Sequence, residues 1–182
     1  MPRQPSPMRR QILDSAVRLF AEHGFKGTSL HDIAVEARCS KASLLYHFAG
    51  KDAILTEVLT PPAESLTAMR DDLAPLEGDR AVRAAVAVYV GLAMRFRQEI
   101  KIIFAELPDM LGHPVLAVIP EAVDQLADAL AGRSREPSAR VSAQMVIGGV
   151  AVTVAADVDV APDAMRAALV QGALRTLGHP VS

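Results

Sequence analysis

The stretch from residue 28 to residue 51 constrains the fold more than any other, because it predicts two short helices joined by a tight turn. Apolar residues at helical spacing place the first helix at about residues 29–36. Ser40 is the expected N-cap of the second helix, which covers residues 41–47. The three residues between the helices, 37–39, form the turn. Two helices joined in this way form a helix-turn-helix, whose second helix can lie in a DNA major groove.

The second helix of this pair has an outward face without acidic residues. Leu44 and Phe48, four positions apart, are expected to point inward and pack on the first helix. Hydrogen-bond donors and one cation remain on the outer face, a combination that suits phosphates and base edges. The outward residues are Lys41, Ala42, Ser43, Leu45, Tyr46 and His47. An ordinary helical hairpin with a polar tip gives the same pattern, so these residues alone leave both interpretations open.

A run of residues in the first third of the chain carries a family resemblance. It comprises Ile12-Leu13-Asp14-Ser15-Ala16, Leu19-Phe20-Ala21-Glu22, Gly24-Phe25, Gly27-Thr28-Ser29, Asp32-Ile33-Ala34, Ala37, Ser40, Leu44, Tyr46-His47-Phe48, Lys51-Asp52 and Leu55. In this order and spacing, residues 9–59 resemble the DNA-binding domain of the TetR family of bacterial transcriptional regulators. The resemblance implies an all-α fold of about nine helices. It places a three-helix DNA-binding domain at residues 1–51 and a helical effector-binding and dimerisation domain at residues 52–182.

The resemblance also implies a function and a set of DNA contacts. The expected protein is a ligand-responsive transcriptional regulator, more often a repressor, that binds a near-palindromic operator as a homodimer. Residues expected to hold the DNA backbone are Thr28, Ser40, Tyr46, His47 and Lys51. Residues expected to face the bases are Lys41, Ala42, Ser43 and Leu45, with Ala42 and Leu45 suited to thymine methyls and Lys41 to guanine.

Two residues depart from the family pattern and keep an alternative open. Arg38 stands where the family usually has glycine, and Leu45 where it often has an aromatic residue. If Arg38 adopts the left-handed backbone of that glycine, the cost is on the order of 1 kcal/mol. Either the turn differs here or another contact, such as a phosphate, offsets the strain. The alternative is a helical interaction or ligand-binding module that no longer binds DNA.

The charge distribution favours a protein that contacts phosphate at one end. Residues 1–51 hold eight of the 19 Lys and Arg and four of the 21 Asp and Glu, a balance of +4. The remaining 11 bases and 17 acids give residues 52–182 a balance of −6. A basic end on an acidic remainder is typical of a nucleic-acid-binding protein. Arg3, Arg9 and Arg10 are further candidates to reach a phosphate or a minor groove.

The location expected from the sequence is the cytoplasm. The first ten residues lack an apolar segment of the kind found in secretory signals. No uninterrupted apolar run approaches the roughly 18 residues of a membrane helix, so no membrane partner is expected. The single cysteine, Cys39, cannot form an internal disulfide and is expected to be a small buried hydrophobe in a reducing compartment.

Helical periodicity continues through the rest of the chain. The first helix is expected to begin after Ser6 and to stop at Gly24. A fourth helix from Lys51 is expected to break or kink at Pro61-Pro62, which cannot donate backbone hydrogen bonds. Further helices are expected at about residues 80–96, capped by Asp79, at 98–107 and at 115–131, with a loop at 108–114.

The segment from residue 138 to 157 is ambiguous, because its Val-rich alternation also fits a strand. Its length without a turn signal and the lack of a partner strand favour a helix. Pro162 is expected to begin the last helix, which Gly178 closes. By resemblance, these two helices form a homodimer; the other interpretation is that both only fill the monomer core.

An apolar small-molecule effector is expected in the C-terminal part. Candidate lining residues are Met69, Tyr89, Met94, Phe96, Phe104, Met110 and Met145, although such residues at helical spacing are more often simply core. No enzyme motif is found: the five histidines form no i,i+4 pair, and HExxH, Walker and GxSxG patterns do not occur. No cofactor or metal is therefore expected.

Overall fold

The structure is a computed structural model that describes residues 6–105, 112–156 and 158–179. This part of the chain contains nine α-helices, one short 3₁₀-helix (η1, Pro114–Leu116) and no strand, which confirms the all-α prediction. The α-helices are α1 (Pro7–Gly27), α2 (Leu30–Glu36), α3 (Lys41–His47), α4 (Lys51–Leu73), α5 (Gly78–Arg95), α6 (Arg97–Ala105), α7 (Ile119–Leu130), α8 (Pro137–Ala155) and α9 (Pro162–Thr176). We call α1–α3 the head and α5–α9 with η1 the body.

The first helix begins where its sequence predicts, but it continues to Gly27 and is interrupted, not ended, at Gly24. The Ser6 side chain accepts a hydrogen bond from the Arg9 N–H (3.2 Å), and Pro7 occupies the first helical position, where a missing N–H costs nothing. Gly24 has φ 77° and ψ 162°, a conformation open to glycine and costly for other residues, and it interrupts the helix before its last three residues.

The long helix α4 corrects the expectation of a break at the double proline. Lys51–Leu73 is one helix with Pro61 and Pro62 inside it. Both prolines lack the N–H that would bond four residues back, but their fixed φ is itself helical. Pro62 and the neighbouring Leu59 and Ala63 are buried, so packing holds the helix together where hydrogen bonds are missing.

Two apolar cores meet along α4. The head core contains Ile12, Ala16, Phe20, Ile33, Ala34, Ala37, Leu44 and Phe48, with Ile54, Leu55, Val58 and Leu59 from α4. It also contains two body residues, Ile102 of α6 and Leu116 of η1. The body core takes Met69 and Leu73 from the other end of α4 and packs them with α5, α7, α8 and α9. Each end of α4 is therefore embedded in a different core.

Several boundaries in the body differ from those expected. Helix α5 begins at Gly78 after Glu77, and Asp79 is its first-turn acid rather than its cap. The expected helix from residue 115 is split into η1 and α7. Most of the expected loop at 108–114 lies outside the described residues. The ambiguous segment is helical (α8), and the helix that Pro162 begins is α9, with Gly178 following it at φ 76°.

Candidate DNA-binding surface

The helix α3 is held rigidly by its two ends and its inward face. The Ser43 N–H donates to the Ser40 side chain (3.0 Å), which caps the helix as predicted. Leu44 and Phe48 are buried in the head core. With these anchors fixed, Tyr46 projects outward with 86% of its surface exposed.

The predicted outward face of α3 is confirmed. Lys41, Ala42, Leu45 and Tyr46 are exposed, and Ser43 and His47 are partly exposed. The Tyr46 and His47 rings meet edge to face, with centroids 5.2 Å apart. No acidic residue lies on this helix, so its surface can approach a polyanion without charge repulsion.

Helix α2 is fixed by a reciprocal cap at its N-terminus. The Asp32 N–H donates to the Ser29 side chain (3.2 Å), and the Ser29 N–H donates to the Asp32 carboxylate (2.8 Å). Hydrogen bonds from the Ser29 side chain and backbone hold the pKa of Asp32 below its usual value. The carboxylate therefore stays ionised and keeps the helix end ordered.

The turn between α2 and α3 keeps the geometry of a glycine turn although Arg38 occupies it. Arg38 has φ 50°. Its N–H donates to the Val35 carbonyl (3.0 Å), and the Cys39 N–H donates to the Ala34 carbonyl (2.9 Å), which is the Schellman pattern at a helix end. Arg38 therefore adopts the left-handed backbone that favours glycine, so the strain expected of a non-glycine residue is present. Cys39 is partly buried against the head core.

Two residues predicted to contact the DNA backbone have structural partners in the head. Thr28 is 2% exposed, and its hydroxyl donates to the Gly24 carbonyl (2.8 Å). The Lys51 ammonium donates to the carbonyls of Phe25 (2.6 Å) and Thr28 (2.8 Å) and lies over the Phe25 ring. One ammonium proton of Lys51 remains available, whereas the Thr28 side chain faces inward. Their DNA contacts remain predictions.

Arg9 has a positioning role that the sequence did not reveal. Its guanidinium donates to the His47 carbonyl at the end of α3 (2.5 Å) and forms an ion pair with Glu57 of α4. It also lies 4.3 Å from the centre of the Phe48 ring. These partners are far away in sequence, so no local pattern indicates them. Arg9 thus joins α1, α3 and α4, while Arg3 lies outside the described residues.

Six of the seven candidate effector residues lie in the described part of the chain, where some are buried and others are exposed. Met69, Tyr89 and Phe96 are buried, Met94 packs partly buried on the body core, and Met110 lies outside the described residues. Phe104 and Met145 are exposed. The Tyr89 hydroxyl donates to the Ile147 carbonyl (2.7 Å), and burial raises the pKa of Tyr89. An effector role for these residues remains a prediction.

The described residues contain no group of three or more His, Cys, Asp or Glu that could hold a metal ion. What they do contain is a rigidly mounted, acid-free helix in a helix-turn-helix, projecting from an all-α body. This arrangement defines a helix-turn-helix DNA-binding protein.

Comparison with known proteins identifies the family. Residues 12–58 match the family of bacterial regulatory proteins called the tetR family. The chain is 31% identical over 153 residues to the HTH-type transcriptional regulator RutR of Escherichia coli strain K12, an alignment that covers 82% of this chain and 67% of RutR. The chain belongs to the TetR family, and the resemblance found in its sequence is confirmed.

Further similarities are shorter in extent or limited to the fold. IcaR of Staphylococcus aureus, a negative transcriptional regulator of a biofilm operon, is 49% identical over 47 residues, 26% of this chain and 25% of IcaR. The ketosteroid regulator KstR2 of Mycobacterium tuberculosis has the same fold, with a TM-score of 0.80 and 20% identity over 96% of this chain and 95% of that one. A TetR-family regulator from Bordetella parapertussis has a TM-score of 0.73 and 24% identity over 98% of this chain and all of that one.

The family assignment establishes the general function. The chain is a ligand-responsive, DNA-binding transcriptional regulator, in a family whose members bind operators and small effectors as dimers. Its relatives are regulators rather than enzymes.

Proposed function

We propose that this protein is a repressor that binds a near-palindromic operator as a homodimer formed through α8 and α9, and that a small apolar effector changes its affinity for DNA. It would act in the cytoplasm, in contact with the chromosome. The observation that carries the proposal is the outward face of α3, which is free of acids and fixed by the Ser40 cap and the buried Leu44 and Phe48.

DNA reading is assigned to α3. Lys41, Ala42, Ser43 and Leu45 would meet base edges, and Ser40, Tyr46 and His47 would bind the backbone. Lys51 would add a phosphate contact at the N-terminus of α4, where free N–H groups favour an anion. Two copies of α3 in a two-fold dimer would read half-sites one helical turn apart, about 34 Å, or a multiple of it.

The outer face of α8 supports the dimer. Val141, Met145 and Val152 are 60%, 63% and 60% exposed, and they lie on one side of the helix, opposite its buried residues. Helix α8 is apolar enough, by length and composition, to cross a membrane. Only 22% of that stretch is buried within the subunit, so most of its apolar surface is left uncovered. A contiguous apolar face of this kind marks an interaction surface. A second copy of the chain would cover it.

The outer face of α9 allows that copy to approach closely. Ala164, Ala168 and Gly172 are spaced four residues apart and line one side of the helix. Side chains this small let two helices pack at short distance. Helices α8 and α9 of two subunits would then form a four-helix bundle.

The effector signal is assigned to α4. This helix has Leu55 in the head core and Met69 in the body core. A ligand that binds one arrangement of the body better than another would shift α4 and thereby the distance between the two α3 helices. Only such a difference in affinity can move the equilibrium.

The alternative, a helical module that no longer binds DNA, rests on Leu45 and Arg38. Leu45 removes one polar group from the outward face of α3. A direct binding measurement separates the two functions.

The first experiment measures DNA binding by fluorescence anisotropy, with fragments flanking the protein's own gene and duplexes selected from a randomised library. We expect one sequence to bind well above bulk DNA. Tyr46→Ala should weaken this binding without changing the melting temperature, because the side chain is exposed. Val118→Ala, at an exposed apolar residue of the body that is not among the candidate effector residues, is the control. A folded wild-type dimer that binds none of these duplexes would contradict the proposal.

The dimer is tested by light scattering after size-exclusion chromatography. Val141→Glu places a charge on the outer face of α8 and should yield monomers. Val35→Glu, at a residue of similar exposure in the head (63%), should leave the dimer intact. If both variants remain dimeric, the interface lies elsewhere.

A further inference from the structure

Arg38 is one of two non-glycine residues in the described chain with a positive φ; the other is Arg133 at φ 66°. Arg133 uses its side chain within the protein, because its guanidinium donates to the carbonyls of Leu73 (2.9 Å) and Leu76 (3.4 Å). The Arg38 guanidinium makes no hydrogen bond or ion pair with any described residue and is exposed. Arg38 is strained in its backbone, yet its side chain makes no stabilising interaction within the protein. Such strain is a reason to look for an interaction of the side chain with a binding partner.

The Arg38 side chain lies at an open cleft between α1 and the end of α2. The cleft has a volume of about 630 Å³, and Arg10, Arg18 and Arg38 line it together with Asp14 and Glu36. Arg18 is neutralised by Glu36, at 2.8 Å. Arg10, like Arg38, makes no side-chain hydrogen bond or ion pair with the described residues. The part of the cleft next to Arg10 and Arg38 is therefore cationic, with Asp14 as its only unpaired acid among the described lining residues.

We propose that Arg38, with Arg10, binds a phosphate of the DNA backbone beside the recognition helix. This inference rests on the proposed DNA binding. Lys41, expected at the base edges, follows Arg38 by three residues, so their Cα atoms lie at most about 11 Å apart. An arginine at that distance can reach a phosphate that flanks the groove, and its planar fork matches phosphate oxygens.

If Arg38 binds a phosphate, it should raise the affinity for DNA of any sequence equally. A phosphate contact strengthens binding to every duplex and contributes to the salt dependence, whereas base contacts set discrimination. A dimer would lose two phosphate contacts when Arg38 is replaced. The slope of log Kd against log salt should then fall by about 1.8, since each contact contributes about 0.9.

The test compares Arg38→Gln with Arg135→Gln, which removes the same charge from an exposed loop of the body. Both proteins and the wild type are titrated with the selected duplex and with a scrambled duplex at several salt concentrations. We expect the shallower slope only for Arg38→Gln, with the ratio between the two duplexes unchanged. Arg10→Gln should lower the slope in the same way, and Arg38→Lys should largely preserve it. Circular dichroism checks that each variant is folded.

The outcomes separate this inference from the proposed function. Steep, salt-sensitive binding by wild type with equal slopes for Arg38→Gln and Arg135→Gln would overturn the role of Arg38 and leave DNA binding in place. A wild type that binds neither duplex would overturn both. Inorganic phosphate supplies a third arm, by calorimetry at constant ionic strength. If it binds wild type but not Arg38→Gln while the DNA slopes stay equal, the cleft is a site for free phosphate and the DNA assignment is wrong.

Discussion

The helices of the head and those of the body begin in different ways. Each head helix starts at a serine, Ser6, Ser29 or Ser40, whose side chain accepts a hydrogen bond from the first turn. Helices α4, α5, α7, α8 and α9 start without a side-chain cap. Local hydrogen bonds therefore add to packing in fixing the helices of the head, whereas these later α-helices rely on packing alone at their starts. A surface that binds DNA needs a fixed shape, whereas a ligand-responsive body needs helices that can shift in their packing.

The two arginines at positive φ allow the largest test of this comparison. Arg133→Gly relieves backbone strain but removes hydrogen bonds to Leu73 and Leu76, so we expect a net loss of about 1–2 kcal/mol of unfolding free energy. Arg38→Gly loses no such bonds, and we expect a gain of up to about 1 kcal/mol. Thermal melts should shift in opposite directions, by about 2–4 °C per kcal/mol. Shifts of the same sign would contradict this contrast.

Replacing the residue before a helix should lower the unfolding free energy more in the head than in the body, although by less than the arginine substitutions change it. Ser40→Ala deletes the side-chain bond to the Ser43 N–H, so we expect a loss of about 1 kcal/mol in urea unfolding. Glu136→Ala, at the uncapped start of α8, should change stability by less than about 0.5 kcal/mol. Equal losses would show that the head does not depend on its caps more than the body does.

The smallest expected effect is a pH dependence at Asp32. Its pKa is lower in the folded state than the ordinary value of 3.8. The stability that its carboxylate adds is therefore complete above that value and is lost as the pH falls through the folded-state pKa. The urea midpoints of wild type and Asp32→Asn should differ at pH 7 and converge in strong acid. A difference between the two urea midpoints that does not vary with pH would show that the charge of Asp32 does not contribute to stability.

The head was the more predictable half, because its signals are local. Ser6, Ser29 and Ser40 each mark the start of a helix, and the bounds of α2 and α3 agree with prediction to within one residue. The exposed face of α3 followed from the inward pair Leu44 and Phe48. In the candidate site, the sequence did not indicate the contact between Arg9 and Glu57, which are far apart in the chain, or the inward-facing Thr28 side chain.

The body was predicted as helical, but its details were not. Asp79 has the chemistry of a cap, yet α5 begins one residue earlier, at Gly78, without a side-chain cap. The double proline predicted a break or a kink, but α4 continues through it as one helix whose neighbouring residues are buried. The described candidate effector residues differ in burial, because Met and aromatic residues can serve as core, as Met69 does, or as exposed surface, as Met145 does.

The presence of Ile102 and Leu116 in the head core has a consequence for how such proteins diversify. A chimera that takes its head from one relative and its body from another would set these two side chains against a foreign surface. Recombination at the start of α4 would therefore give poorly packed hybrids unless the N-terminal half of α4, α6 and η1 moved together with the head. Head and body are therefore expected to be exchanged together between relatives. Operator preference and effector preference could be exchanged separately only when the apolar residues at the contact between head and body match.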